Sequence, residues 1–248
     1  MGQSFVANLA NLTAFWRALG AEPLPLAEAG EAARSRSWPH RLWFEPGLWP
    51  SPAQVRSLVE QEAQAPCVVP VWRDDADQAR GDPLAAALAA AGVPLRTSTV
   101  VMDADIAAIR WLAVADVELQ FDDGKRDVVT WSQVAGRSFG YEVDPAAVAR
   151  LVEHHEAWLV LARRGERPVG TGLLFETGEV AGLHMLGVLP EARRTGVAGA
   201  VMLRLLREAE WRGLRHAALQ ASAMGQGLYD KLGFVRSGAV DWHGRAKG

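Results

Sequence analysis

The fold of this chain is decided by residues 188–199, which read Val188-Leu189-Pro190-Glu191-Ala192-Arg193-Arg194-Thr195-Gly196-Val197-Ala198-Gly199. The apolar stretch before them, residues 180–188, predicts a buried strand. After them, apolar residues recur at helical spacing through residues 200–209. A strand therefore leads into a turn that carries glycine and arginine, and this turn opens a helix.

Such a turn is suited to hold a diphosphate. The first backbone N–H groups of a helix have no partner within it, and the helix dipole favours negative charge at this end. Gly196 and Gly199 lack a Cβ, so the backbone can approach an anion closely. Arg193 and Arg194 fit this interpretation, because cations are disfavoured at a helix N-terminus unless an anion is bound there. An ordinary strand–helix–strand crossover with a glycine-containing turn is the alternative.

At these residues the chain resembles the GCN5-related N-acetyltransferases. The acetyl-CoA signature of that family is Arg or Gln, two residues, Gly, one residue, then Gly or Ala, and here it spans Arg193 to Ala198 after the usual Val-x-Pro. A second motif of the family follows at the usual distance and reads Leu228-Tyr229-Asp230-Lys231-Leu232-Gly233-Phe234. Each motif alone is weak evidence, because short glycine patterns occur by chance.

The resemblance implies an α+β fold with a central, mostly antiparallel twisted sheet flanked by helices. It covers residues 105–248, where the predicted elements follow the order of a whole acetyltransferase domain. Residues 1–104 are expected to form a smaller α/β domain. This smaller domain is either a degenerate second copy of part of the same fold or an unrelated extension on the acceptor side, and both alternatives remain open.

The pattern of apolar residues, caps and turn residues predicts the elements in detail. In the first domain we predict helices at 5–19, 52–64 and 84–91, strands at 41–44, 67–72 and 95–102, and a loop at 20–34. Ser51 is the expected N-cap before Pro52, and Pro70 indicates an edge strand. In the second domain we predict strands at 111–121, 157–162, 169–176, 180–188, 216–220 and from 234, and helices at 125–139, 144–155, 200–212 and 225–231.

Composition narrows the class of protein. The formal net charge is −3, which gives no reason to expect a nucleic acid or an anionic membrane as partner. The single cysteine, Cys67, allows neither an internal disulfide nor a cysteine-based zinc site. No apolar stretch approaches the ~18 residues of a membrane span, and the start of the sequence lacks the pattern of a signal peptide. We therefore expect a cytoplasmic protein.

The resemblance assigns a set of residues to acetyl-CoA, which would serve as co-substrate. The backbone amides of the turn would take the pyrophosphate, and the side chains of Arg193 and Arg194 would add positive charge. Backbone groups of Leu186 and Val188 would pair with the pantetheine arm and the thioester carbonyl. Ser222 stands where the family often has Asn. The expected binding residues are Leu186, Val188, Arg193, Arg194, Thr195, Gly196, Val197, Ala198, Gly199 and Ser222.

The residues expected to act in catalysis are Tyr229 and His184. By the resemblance Tyr229 is the general acid for the departing thiolate, because a phenol with a pKa near ~10 is protonated at neutral pH; a core tyrosine is the alternative. Many members have a Glu where this chain has Gly182. Strand alternation puts His184 on the same face as Leu186 and Val188, where it is either a general base or a buried core histidine.

Other bases and a metal site are weaker interpretations. Glu176 and Glu179 are nearby carboxylates, and many members of the family pass the proton through water instead. The pair His154-His155 has no third ligand at a suitable spacing, so we expect no metal.

The resemblance thus implies transfer of an acetyl group from acetyl-CoA to a primary amine by direct attack. The acceptor is a small molecule or a protein, and its selection would depend on residues 122–152 and on the first domain. A non-catalytic acyl-CoA-binding or regulatory module is the alternative function. A longer acyl donor and a homodimer are left open.

Overall fold

A computed structural model describes residues 2–26, 30–35, 37–48, 50–62, 67–112, 118–154 and 157–245. The chain divides into two compact units. The first contains residues 1–102, 220–224 and 236–248, and the second contains residues 103–219 and 225–235. The first unit is therefore built from both ends of the sequence. The domain boundary between residues 104 and 105 stays a prediction.

The first unit begins with helix α1 and a small antiparallel sheet. The bounds are α1 Gln3–Ala18, β1 Glu22–Leu26, β2 Gly30–Arg34 and β3 Leu42–Phe44, and the strand order is β1-β2-β3. Next come α2 Pro52–Gln61, β4 Val68–Asp74, α3 Asp82–Ala90 and β5 Leu95–Asp105. Ser51 caps α2 as predicted: its hydroxyl accepts from the Gln54 N–H at 3.3 Å, and the Gln54 side chain accepts from the Ser51 N–H.

The loop predicted at residues 20–34 is wrong, because most of it forms the β1–β2 hairpin. Pro23 pairs with Ala33 and Pro25 pairs with Glu31. Proline weakens the strand pattern in a sequence, but an edge strand such as β1 tolerates it, since one side of the strand needs no partner. Ala32 and Ala33 are fully buried.

Four tryptophans form an aromatic cluster in the first unit. The ring of Trp16, on α1, lies 5.1 Å from that of Trp43, 6.1 Å from that of Trp72 and 5.9 Å from that of Trp242. The guanidinium of Arg41 lies over Trp242 at 5.0 Å. Trp16 is 3% exposed. These rings therefore supply much of the apolar area that α1 buries against the strands.

The second unit is a sheet with helices on both faces. Its elements are β6 Gln120–Asp123, α4 Val128–Phe139, α5 Pro145–His154, β7 Ala157–Arg164, β8 Arg167–Thr177, β9 Val180–Val188, α6 Val197–Trp211, β10 His216–Ala221 and α7 Gln226–Leu232. The strand order is β10-β9-β8-β7-β6, and every neighbouring pair is antiparallel except β9 with β10. The expected α+β fold with a mostly antiparallel sheet is confirmed.

The strand predicted at residues 111–121 is mostly wrong. Residues 106–108 form a 3-10 turn, residues 109–112 are irregular, and β6 begins only at Gln120. Residues 113–117, which the prediction also included, lie outside the described residues. The apolar run that suggested a strand also carries Trp111, whose ring packs under the guanidinium of Arg207 at 4.8 Å rather than in a strand pair.

The last strand, β11 (Val235–Gly244), lies in the first unit between β4 and β5. Its antiparallel pairing with β4 runs from Gly238–Asp74 to Gly244–Val68. Strand β4 is then an edge strand, which confirms the expectation from Pro70. At Gly238 the backbones are close, because a Cβ would lie 2.3 Å from the Arg73 carbonyl oxygen.

Glycines on the two faces of the second sheet show which helix each face meets. A Cβ on Gly172 of β8 would lie 2.8 Å from Val201 of α6. A Cβ on Gly187 of β9 would lie 2.8 Å from Ser138 of α4. Helix α6 therefore covers one face and α4 the other, and side chains alternate between the two along each stretch of regular strand.

Candidate functional site

Strand β9 has one paired edge and one partly open edge. Toward β8 it pairs along nearly its whole length. Toward β10 the parallel pairing joins only Val180, Ala181 and Gly182 to His216, Ala217 and Ala218. Within the described chain, the β10 side of β9 from Met185 to Val188 has no strand partner in this pairing. A ligand with amide groups can pair with such an edge.

A β-bulge interrupts β9 next to this open edge. His184 pairs with Leu173 and Gly187 pairs with Thr171, so Met185 and Leu186 together face one residue of β8. Met185 has a left-handed φ of +52°, which is unusual for a side chain of this size. The Thr171 hydroxyl donates to the Met185 carbonyl at 3.0 Å and holds the bulge.

The bulge corrects the predicted face of His184. Gly187 faces α4, and the register puts His184 on this face too. Val188 pairs with Gly170, whose Cβ would lie 2.9 Å from Val197 of α6, so Val188 faces the other helix. The prediction assumed that side chains alternate between the two faces along all of β9. The extra residue of the bulge reverses this alternation for the residues that follow it. His184 is buried, and burial lowers its pKa to about 3.

Acidification is expected to destabilise the fold through His184. Because burial lowers the folded pKa to about 3, from 6.5, the unfolded chain binds a proton more readily between these values. The free energy of unfolding is then highest above the unfolded pKa and should fall by about 2 kcal/mol from about pH 7 to about pH 5. Urea unfolding at the two pH values measures this loss.

His184→Gln is expected to remove that pH dependence. His216→Gln, which changes an exposed histidine, serves as the matched control and should retain it. If the free energy of unfolding depends equally on pH in the wild type and in His184→Gln, His184 is not the source of the loss.

The turn after β9 presents a row of backbone donors. Two of its residues have left-handed φ values, Arg194 at +61° and Gly196 at +86°. The N–H of Arg193 already donates to the Pro190 carbonyl, and the N–H of Ala200 to the Gly196 carbonyl. Between them, six successive N–H groups have no hydrogen-bond partner among the described residues: Arg194, Thr195, Gly196, Val197, Ala198 and Gly199.

Six such donors in succession are able to bind an anion, so the anion site that the sequence predicts stays a prediction with a suitable geometry. They include the first three positions of α6, a helix of 15 residues without a side-chain cap. The dipole of α6 adds positive potential there. Strain at a non-glycine residue such as Arg194 costs about 1–2 kcal/mol and persists mainly where surrounding structure or function requires it.

The side chain of Arg193 has a different environment from the one predicted. Its Nε donates to the Val188 carbonyl at 3.2 Å and its Nη2 to the Ser138 carbonyl at 2.9 Å. Arg193 therefore connects the end of β9 to the end of α4. Of the two arginines expected to add charge to the turn, only Arg194 is exposed.

Arg164 is a basic residue at the turn that sequence reasoning missed. Its Nη2 donates to the Thr195 hydroxyl at 2.9 Å, and this hydroxyl donates to the Ala192 carbonyl at 2.8 Å. A signal was present: consecutive antiparallel strands bring the charged β7–β8 turn to the same end of the sheet as the residues after β9. Arg164 thus both fixes Thr195 and adds positive charge beside the six donors.

Tyr229 lies on α7 and is almost fully buried. Its ring packs edge-on against Phe234 at 5.9 Å. Its hydroxyl has no hydrogen-bond partner among the described residues. Burial raises the pKa of Tyr229 to about 12, so the phenol is protonated throughout the neutral range. Ser222 is an exposed residue that follows β10 and belongs to the first unit.

The weaker base candidates lie at the far end of β9. Glu176 lies 3.6 Å from Arg212, and Glu179 lies 3.3 Å from Arg215. Glu176 is opposite Ala181, near the start of β9, whereas the turn follows its end. For the pair His154-His155, where no metal is expected, the side chain of the first residue and all of the second lie outside the described residues. In the part of the chain that the structure describes, no cluster of His, Cys, Asp and Glu could hold a metal ion.

A separate cavity of about 620 Å³ lies beside β6 and β7. It contains none of the residues expected to bind acetyl-CoA or to act in catalysis, although part of its lining, Asp122, Asp123, Arg126 and Asp127, lies in the range 122–152 that is expected to select the acceptor. Its charges are largely paired with each other, as in the 2.5 Å contact between Arg163 Nε and Asp122 Oδ2. The guanidinium of Arg204 covers the ring of Trp158 at 4.6 Å.

Residues 126–234 match the family model described as the acetyltransferase (GNAT) family. The matched range contains α4, β9, the turn and α7. Comparison with curated proteins gives no match.

Solved structures share the fold. A GCN5-related N-acetyltransferase from Kribbella flavida has a TM-score of 0.72 at 18% identity, covering 100% of this chain and 97% of that one. A functionally unknown conserved protein from Staphylococcus epidermidis has a TM-score of 0.61 at 13% identity, covering 92% and 94%. A GCN5-related N-acetyltransferase from Sphaerobacter thermophilus has a TM-score of 0.59 at 16% identity, covering 87% and 76%.

These likenesses establish the fold of the GCN5-related N-acetyltransferases for this chain. Identities this low carry no information on the acceptor. No helix within the described ranges is long and apolar enough to cross a membrane.

Proposed function

We propose that the chain is an N-acetyltransferase that moves an acetyl group from acetyl-CoA to a primary amine by direct attack. The observation that carries this proposal is the row of six N–H donors from Arg194 to Gly199, which suits the diphosphate of coenzyme A. The open edge of β9 beside it suits the amide groups of the pantetheine arm. Arg164 and Arg194 supply the positive charge.

In the proposed reaction the amine nitrogen forms a bond to the thioester carbon while the carbon–sulfur bond breaks. The sulfur leaves as a thiolate, which takes the proton of the Tyr229 hydroxyl. At neutral pH the Tyr229 hydroxyl carries this proton, because burial raises its pKa to about 12. The phenolate that remains regains a proton through water from the attacking nitrogen. The attacking nitrogen loses its proton to water, because His184 is buried and its pKa, lowered to about 3, makes it too weak a base to take that proton.

Removing the Tyr229 hydroxyl is expected to lower turnover without weakening acetyl-CoA binding. For Tyr229→Phe we expect a decrease in kcat of about 10²–10⁴-fold, the usual range for loss of a general acid. The affinity for acetyl-CoA, measured by calorimetry, should change by less than about twofold, since the ring and its packing on Phe234 remain. Turnover equal to wild type would contradict the role of Tyr229.

One observation favours a second function, an acyl-CoA-binding module without catalysis. None of the three candidate bases is suited to deprotonate an amine beside the turn, because His184 is buried with a lowered pKa and Glu176 and Glu179 form ion pairs away from it. The same experiment separates the two functions. A binding module would bind acetyl-CoA but release no coenzyme A with any amine, and Tyr229→Phe would then change nothing.

The proposal extends to partner and compartment. The proposed acceptor is a small-molecule or a protein amine, and the proposed compartment is the cytoplasm. The net charge of −3 and the single cysteine support an acceptor other than nucleic acid and a reducing compartment.

A further inference from the structure

We infer that the proposed acetyltransferase selects amines that carry an aromatic ring, and that Phe139 and Tyr141 bind this ring. The inference rests on the proposed function and names its substrate class. The two side chains stack with centroids 5.6 Å apart and planes 16° apart. Each is 40% exposed, which is unusual for large aromatic side chains packed together. We call this pair the aromatic shelf.

The shelf stands directly beside the open part of β9. Phe139 is the last residue of α4, and Gly140, with φ of +77°, turns the chain so that Tyr141 follows alongside. A Cβ on Gly187 would lie 3.2 Å from Phe139 Cε2, so the ring touches the backbone between Leu186 and Val188. Leu186 and Val188 are the residues whose backbone groups are expected to pair with the pantetheine arm. An acceptor on the shelf is therefore next to the reacting thioester.

The position of the shelf is fixed by hydrogen bonds to its neighbours. Arg193 Nη2 donates to the carbonyl of Ser138, the residue before Phe139. The N–H groups of Gly140 and Tyr141 both donate to the Gly136 carbonyl, at 2.8 and 3.2 Å. These hydrogen bonds hold the segment that carries both rings in place before a substrate binds. Binding of a substrate ring therefore costs little conformational entropy of the protein.

Stacking, rather than charge, is what the shelf offers a substrate. Charges of both signs lie near it, since the exposed Arg137 pairs with Glu191 at 2.9 Å and the exposed Glu142 follows Tyr141. A third aromatic ring can extend the stack that Phe139 and Tyr141 already form. The amine would then reach the thioester on a short linker from the ring.

The test compares two amines of similar size, 2-phenylethylamine and 2-cyclohexylethylamine. Release of coenzyme A, followed with a thiol reagent, should give a kcat/KM about three- to tenfold higher for the aromatic amine. Phe139→Leu and Tyr141→Leu should each remove this preference, and Phe139→Trp should keep it. Val129→Ala, which alters an exposed apolar residue at the other end of α4, is the matched control.

A second readout does not depend on turnover. Saturation-transfer NMR with the protein and coenzyme A should show contact to the ring protons of 2-phenylethylamine, and Phe139→Leu should remove it. Equal kcat/KM for the two amines, or Leu variants that keep the preference, would overturn the shelf while leaving the acetyltransferase intact. Absence of acetyl-CoA binding to the wild type would overturn the proposed function and the shelf together.

Discussion

Replacing Gly196 with aspartate is expected to lower the affinity for acetyl-CoA at least about a hundredfold. The new carboxylate would lie within the row of six N–H donors, where it competes with the diphosphate and repels it. Gly196 has a φ of +86°, and Asp is one of the few residues that adopt this left-handed conformation at low cost. The protein should therefore fold while losing the anion site.

Gly196→Asn is the matched control for this prediction. Asn has the same size and the same tolerance of left-handed φ, but no charge. Calorimetric titration with acetyl-CoA should show at most about a tenfold loss for Asn, so that charge accounts for most of the Asp effect. Wild-type affinity in the Asp variant would show that the diphosphate is bound elsewhere. An equal loss in both variants would show that bulk, rather than charge, is responsible.

The largest expected effect on stability comes from Trp16→Ala. Trp16 is 3% exposed and its ring contacts those of Trp43, Trp72 and Trp242. Truncation leaves a cavity at the centre of the cluster, and we expect a loss of about 3–5 kcal/mol in the free energy of unfolding of the first unit. Denaturant unfolding followed by circular dichroism measures the change, and hydrogen exchange in α1 and β4 shows whether it falls in this unit.

Trp211→Ala provides the control within the same chain. Trp211 is 81% exposed at the end of α6, so its removal should change the free energy of unfolding by no more than about 0.5 kcal/mol. Trp16→Phe, which keeps a ring in the cluster, should lose less than Trp16→Ala. Similar losses for Trp16→Ala and Trp211→Ala would mean that the cluster does not hold the unit together.

The sequence was sufficient to predict the strand, turn and helix around residues 188–199, because each is marked by a local signal. An apolar run marks β9, Pro190 and Gly196 mark the turn, and helical spacing marks α6. The same kind of signal located α2, through Ser51 and Pro52. These elements depend on neighbours in the sequence, so their patterns can be read without the fold.

The parts of the site that sequence could not supply depend on residues far apart in the chain. The bulge at Met185 exists only through its pairing with β8, and no residue type in β9 marks it. Arg193 sits in the signature, yet its guanidinium binds the Ser138 carbonyl, 55 residues earlier. The β1–β2 hairpin was missed because Pro23 and Pro25 conceal an edge strand. Distant pairing thus determined which helix His184 faces.

The placement of β11 has a consequence for synthesis of the protein on the ribosome. The first unit is completed only when residues 236–244 have been made, since β11 lies between β4 and β5. A nascent chain ending near residue 104 would have β4 and β5 without the strand that joins them. The second unit likewise needs residues 225–235. Domains usually fold in the order in which they emerge, whereas here the amino-terminal half, although it is made first, cannot complete its sheet until the last part of the chain has been made.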